Sequence, residues 1–208
     1  MSDHVATNAA SSGIRLERKQ LKQLTRRSDR PGLIYLALWI GFLIITGLGI
    51  HYAQGNLWFW PAVALYGIFL SVPAYALSHE CAHGSAFRSR WLNEAVFWIS
   101  SLLYFEEPHH RRYAHARHHT YTWVEGLDAQ MPFKTPMMLR GWFLEVSGIA
   151  LFWYEAKVFV RNALGLFADD VRDFTPQSEL PKLKWGARIC LAIYAALGWL
   201  AVTGHDWV

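Results

Sequence analysis

Cysteine is almost missing. Cys81 and Cys190 are the only two in 208 residues, too few for a disulfide scaffold, which excludes a small stapled extracellular domain. Charge is scarce too: Asp, Glu, Lys and Arg make up 17% of the chain, against roughly 25% in an ordinary soluble domain. Disorder is excluded, because disordered chains combine low hydrophobicity with high charge. From Leu33 to Ala53, and again from Leu57 to Ser78, there is no Asp, Glu, Lys or Arg at all. What is plentiful is apolar: 53% of residues are hydrophobic, with eleven Trp, twelve Phe and nine Tyr. A water-soluble core of this size would struggle to hide that aromatic load. A membrane protein remains, and the length suggests one domain.

Residues 1–30 form a separate basic tail. Arg15, Arg18, Lys19, Lys22, Arg26, Arg27 and Arg30 are opposed nearby only by Glu17 and Asp29. The basic stretch is too long for a signal peptide, and the apolar run after it is long enough to stay in the bilayer. A nucleic-acid-binding tail is the competing reading. A cytoplasmic, positive-inside flank accounts for it better, so no nucleic-acid partner is expected.

Residues 31–208 read as one all-α, polytopic membrane domain. Spans are expected near 33–53 and 57–78, a helical hairpin broken at Gln54-Gly55-Asn56, and near 185–204. Trp58 and Trp60 stand where an interfacial aromatic belt places them, and Pro73 should bend the second span. Lys182, Lys184 and Arg188 put the start of the third span on the cytoplasmic side. Trp91–Phe105 is short and contains Glu94, so it should return to its own side without crossing. Met137–Leu166 mixes Glu145, Glu155, Lys157 and Arg161 with Trp142, Phe143, Trp153 and Phe159, as a helix on the membrane surface or in a cytoplasmic cap would. Asp169, Asp170 and Asp173 suggest a solvated loop.

The chemistry lies in the histidines. Eight of the ten fall between His51 and His119. His79 and His83 are four residues apart, so a helix puts both imidazoles on one face. His115, His118 and His119 repeat that arrangement at i, i+3 and i+4. His4, His51 and His205 read as inert, and His109 and His110 as structural or solvated. Five imidazoles packed together without a metal would repel when protonated and leave lone pairs unsatisfied when neutral. A metal site resolves that cost, since imidazole suits iron, zinc and copper.

His79-Glu80-Cys81-Ala82-His83 also fits the H-E-x-x-H pattern of zinc metalloproteases, with Glu80 as general base. That reading has no use for a second cluster of three histidines. A histidine-lined metal transporter is weaker still, because the two clean spans offer only His51.

Taken together, an H-x-x-x-H box after a helical hairpin and an H-x-x-H-H box some thirty residues later resemble the membrane fatty acid desaturases and their hydroxylase relatives. The likeness covers about Leu33 to Phe133, including the Arg112-Tyr113-Ala114-His115-Ala116-Arg117-His118-His119-Thr120 context and Asp128. It implies a non-haem di-iron centre at the cytoplasmic membrane face, with His79, His83, His115, His118 and His119 as iron ligands and Asp128 as a partner behind them. It also implies O2 as co-substrate and a lipid acyl chain as substrate. An external electron donor, such as ferredoxin or cytochrome b5, would supply the electrons. The same ligands serve a desaturase, or a hydroxylase or ketolase acting on alkyl or carotenoid lipids. The family pattern also calls for a third histidine box, and after His119 the sequence offers only His205. Two irons need more nitrogens than five histidines supply. The expectation is an N-terminal portion of a longer protein, inactive by itself.

Overall fold

The computed structural model describes residues 17–131, 136 and 138–204. Nine α-helices occupy the described residues: α1 Arg18–Leu24, α2 Arg30–Tyr52, α3 Phe59–Ala82, α4 Arg90–Leu103, α5 Pro108–Tyr121, α6 Leu139–Val146, α7 Ile149–Leu164, α8 Asp169–Phe174 and α9 Leu180–Thr203. No strand occurs among these residues. His4 and His205 lie outside them, as does most of the basic tail.

Helices α2, α3 and α9 are long and apolar enough to cross a membrane. At 23, 24 and 24 residues each exceeds the ~20 needed to span hydrocarbon. The chain is an integral membrane protein. Pro31 and Pro181 sit in the first turns of α2 and α9, where a missing N–H costs no helical hydrogen bond. Leu38, Ile44, Ile45 and Leu48 on α2 are exposed, as lipid-facing side chains should be. The third span starts at Leu180, five residues before the expected boundary, because its cationic first turns continue the helix beyond the apolar segment.

Helix α4 has 14 residues, about 21 Å at 1.5 Å per residue, too short to cross. Its N-cap Ser89 is tied back to the foot of α2: the Ser89 N–H and Oγ–H donate to the Asp29 carboxylate at 2.8 and 2.7 Å. The segment therefore stays on the side where α2 begins and α3 ends. One face of α4 joins a core of Trp39, Ala74, Leu77, Cys81, Phe87, Val96 and Phe97. Its other side meets a second core of Phe159, Ala163, Ala187 and Cys190, to which Trp98 and Leu102 add. Tyr194 Oη donates to the Leu102 carbonyl at 2.7 Å, fixing α9 against the end of α4.

The stretch expected as one surface helix is two. Gly148, at φ 71, takes a left-handed turn that only glycine adopts without strain and separates α6 from α7. The expected loop at Asp169–Asp173 is instead the short helix α8, because Asp169 and Asp170 lie in its first turn, where carboxylates favour a helix start.

Candidate metal centre

Two helices build the site. His79 lies in the last turn of α3 and His83 caps it. Helix α5 brings His115, His118 and His119. It starts on Pro108, with the buried Glu107 as N-cap accepting from the N–H groups of His109 and His110 at 3.1 and 2.6 Å. Burial pushes the Glu107 carboxyl up to about 8, against the pull of those two N–H donors.

Four imidazoles converge: one ring nitrogen each from His79, His83, His115 and His119 lies within 4.8 Å of the others. Nε2 of His83, His115 and His119 form a nearly equilateral triangle with edges of 3.0, 3.1 and 3.1 Å. The Nδ1–H of His115 donates to Gln130 Oε1 at 2.8 Å, which leaves its Nε2 as a lone pair facing the triangle. Burial pushes the His115 imidazolium down to about 4, with Arg111, His79 and His119 adding to the effect and Gln130 opposing it. His83 is lowered by burial first, then by His79 and His119. His83 and His115 therefore favour the neutral form, and the His115 lone pair faces the ring nitrogens of His83 and His119. Such a set is unfavourable alone and compatible with metal binding.

His118 stands apart. Its ring lies 5.9 Å from that of His115 and 5.7 Å from that of His119, and it is not part of the four-nitrogen group. Its Nδ1–H faces both oxygens of Asp128 at 2.9 Å. Asp128 also accepts from the N–H groups of Trp123 and Gln130, each at 2.9 Å. Burial raises its pKa, but these donors outweigh that and hold the carboxyl below its ordinary value. Trp123 is held at φ 63, a strained backbone for a large side chain. A carboxylate behind an imidazole in this way fixes the tautomer and makes the free nitrogen more basic.

The other histidines among the described residues do not join. His51 is at the far end of α2. His109 is half-buried, edge-on to Trp98 at 5.4 Å. His110 is buried near Phe174 and Tyr154, and burial pushes it down to about 4. Glu80 does not face the cluster as a catalytic base would. It accepts from Ser85 Oγ at 2.8 Å and lies 3.3 Å from Nδ1 of His79.

Sequence reasoning missed Gln130, which sits behind His115. It also read Arg111 as a topology marker and Glu155 as a surface residue, whereas both are buried. A lone carboxylate in an apolar run was the available signal for Glu155.

The family model described as fatty acid desaturase matches residues 55–208. Among curated proteins the chain is similar to the sn-1 oleoyl-lipid 12-desaturase of Synechocystis sp., 28% identical over 130 residues, 59% of this chain and 34% of that one. It is similar to the Delta(12) fatty acid desaturase of Mortierella alpina, 28% identical over 141 residues, 57% of this chain and 35% of the relative. A third likeness is to the Delta(12) fatty acid desaturase of Mortierella isabellina, 29% identical over 102 residues, 46% of this chain and 26% of the relative. The matches thus span about a third or less of each relative's length. No solved structure matches closely enough to count as a relative. A family match over most of the chain agrees with the paired histidine boxes on a membrane hairpin, and the chain belongs to the fatty acid desaturase family.

Proposed function

We propose that this chain carries the histidine-box part of an O2-dependent oxidoreductase that inserts a double bond into a lipid acyl chain. The observation that supports it most is the convergence of His79 and His83 with His115 and His119, from boxes 32 or more residues apart, at one end of a membrane hairpin. His79, His83, His115 and His119 would hold one iron, and His118, braced by Asp128, a second. An unactivated methylene offers a side-chain acid or base nothing to grip. Reduced iron would supply the reduction of O2 that breaking such C–H bonds requires.

The protein's own contribution is orientation and proton bookkeeping at named atoms. Gln130 and Asp128 hold Nδ1–H of His115 and His118, so that Nε2 is free to ligate. Burial favours the neutral form of His83 and His115. The three spans place the site at a bilayer surface, where an acyl chain can reach it. Arg26, Arg27, Arg88 and Arg90 flank that end of the hairpin, which supports reading it as the cytoplasmic side by the positive-inside rule. The same cations suit an acidic one-electron carrier, such as a ferredoxin or cytochrome b5, by charge complementarity.

A zinc protease finds less support. Four imidazoles would fill a tetrahedral zinc and leave no position for a catalytic water, and Glu80 is turned to Ser85. The test is expression of the chain within its extended reading frame in membranes, with acyl-chain unsaturation compared against His118→Ala and His119→Ala. New double bonds that vanish in both variants, with about two irons per chain, are the expected result. Hydroxylated product would make it a hydroxylase of the same family, and peptide cleavage with one zinc would overturn the reading.

A further inference from the structure

A cavity of about 790 Å³ adjoins the histidine cluster, lined by His118, Asp128 and Gln130 on the side of the centre. Its lining also includes Glu106, Arg111 and Glu155, and the exposed carboxylates of Asp169, Asp170 and Asp173. Glu106, Arg111 and Glu155 are only 6%, 3% and 4% exposed. Arg111 Nη1 donates to Glu106 Oε1 at 3.1 Å. Yet Glu106 Oε2, Glu155 Oε2 and Arg111 Nε and Nη2 have no hydrogen-bond partner among the described residues. Four buried polar atoms left open on one polar cavity mark a place for exchangeable protons and the water that carries them.

Charge counting says how many. One guanidinium lines the cavity with two buried carboxylates, and an unbalanced carboxylate removed from water is costly enough to take up a proton instead. We infer that Glu106 and Glu155 share one exchangeable proton beside Arg111 and deliver it through the cavity to the metal face at His118. The groups around the pair do not cancel the excess charge. Glu107 caps the helix that carries Arg111 and, raised to about 8 by burial, brings no positive charge. His110 is held neutral by burial. Asp170 on α8 brings no positive charge, and the phenols are neutral: burial raises Tyr154 and pushes Tyr104 up to about 12. Burial, with Glu106 adding, lifts Glu155 well above the carboxylate range. Burial lifts Glu106 as well, with Arg111 opposing.

The use of the proton rests on the proposed desaturation. Each turnover of that reaction takes O2, two electrons from a one-electron carrier and two protons. Two C–H bonds break, one C=C bond forms and two water molecules leave. Protons must therefore enter a site flanked by membrane, and the acid pair lines the same cavity as the exposed Asp169, Asp170 and Asp173 and His118.

Infrared spectroscopy of the purified protein in lipid nanodiscs tests the shared proton without requiring turnover. Because the buried Glu107 carboxyl is also raised, to about 8, the spectra are taken in a Glu107→Gln parent, which at pH 7 should show a protonated-carboxyl C=O band that shifts in D2O. Glu155→Gln and Glu106→Gln should each abolish it, because either leaves one carboxylate matched to Arg111. Arg111→Met should roughly double it. A band that survives in either amide variant, or none in the parent protein, would overturn the inference. In the activity assay, Glu155→Gln should lower kcat at least about tenfold, as loss of an acid–base group does, with iron content and KM unchanged. An unaltered kcat would overturn the delivery step. An unsubstituted protein that desaturates nothing would instead sink the proposed function, and the infrared result would still decide the shared proton.

Discussion

The indole Nε1–H of Trp39 on α2 donates to the carbonyl of Phe69 on α3 at 2.7 Å. That carbonyl is the one Pro73, four residues later in α3, cannot serve, since proline has no N–H. In a lipid-exposed hairpin no water replaces the lost donor, so another helix must. Trp39→Phe is therefore expected to lower stability by about 1 kcal/mol. The loss should shrink when Pro73→Ala restores the helical donor. Unfolding of the single and double variants in detergent measures the coupling.

Gly186 on α9 is a point of close approach. A Cβ there would collide with Glu107 Oε1 and come 3.0 Å from His109 Cδ2. Gly186→Ala should destabilise the protein by roughly 1–3 kcal/mol, as overpacking does. Gly198→Ala on the same helix, with nothing within 4 Å, should not. Melting temperatures of the two variants give the comparison.

Stability should depend on pH through Glu107. Its carboxyl moves from 4.5 to about 8 on folding, so the folded state binds more protons across that window, and stability falls as pH rises through it. His110 works in the opposite sense but lower: pushed down from 6.5 to about 4, it makes stability rise with pH between those values. Above about pH 6.5 the carboxyl effect stands without that opposition. Glu107→Gln keeps one acceptor oxygen for the capped N–H groups, removes the titrating carboxyl and should flatten the decline between pH 6.5 and 8. Denaturation across that range would show it, and an unaltered slope would assign the dependence elsewhere.

Removing the support behind the histidines should weaken metal binding more than it disturbs the fold. Asp128→Asn and Gln130→Leu are each expected to cost about 10–100-fold in iron affinity. Chelator competition and iron content of the purified variants provide the measurement. Asp128→Asn should also relax the backbone at Trp123, whose N–H that carboxylate accepts.

Much of this was legible from spacing alone. Uncharged runs located α2 and α3, and the i, i+4 histidines required two helical faces turned toward each other. Asp128 was visible as a carboxylate shortly after the second box, and it does stand behind His118. Other features depend on tertiary placement. Arg111 resembles every other basic residue of a cytoplasmic flank until α5 turns it inward beneath Tyr75, 4.9 Å from the ring centre. Glu155 looks amphipathic in sequence, yet α7 packs on α9 with that face inside. The break at Gly148 was missed because glycine is common in membrane segments, and only its left-handed φ distinguishes a hinge from a packing site.

Half of the four-histidine cluster belongs to a helix that crosses the bilayer, and half to one that does not. His79 and His83 reach their position only when α3 has been inserted, and His115 and His119 only when α4 has folded back and α5 has docked. The cluster therefore cannot exist during synthesis, before insertion is complete. Metal loading would come last in biogenesis and report on correct topology, so a chain threaded the wrong way round would be left without the four-nitrogen set.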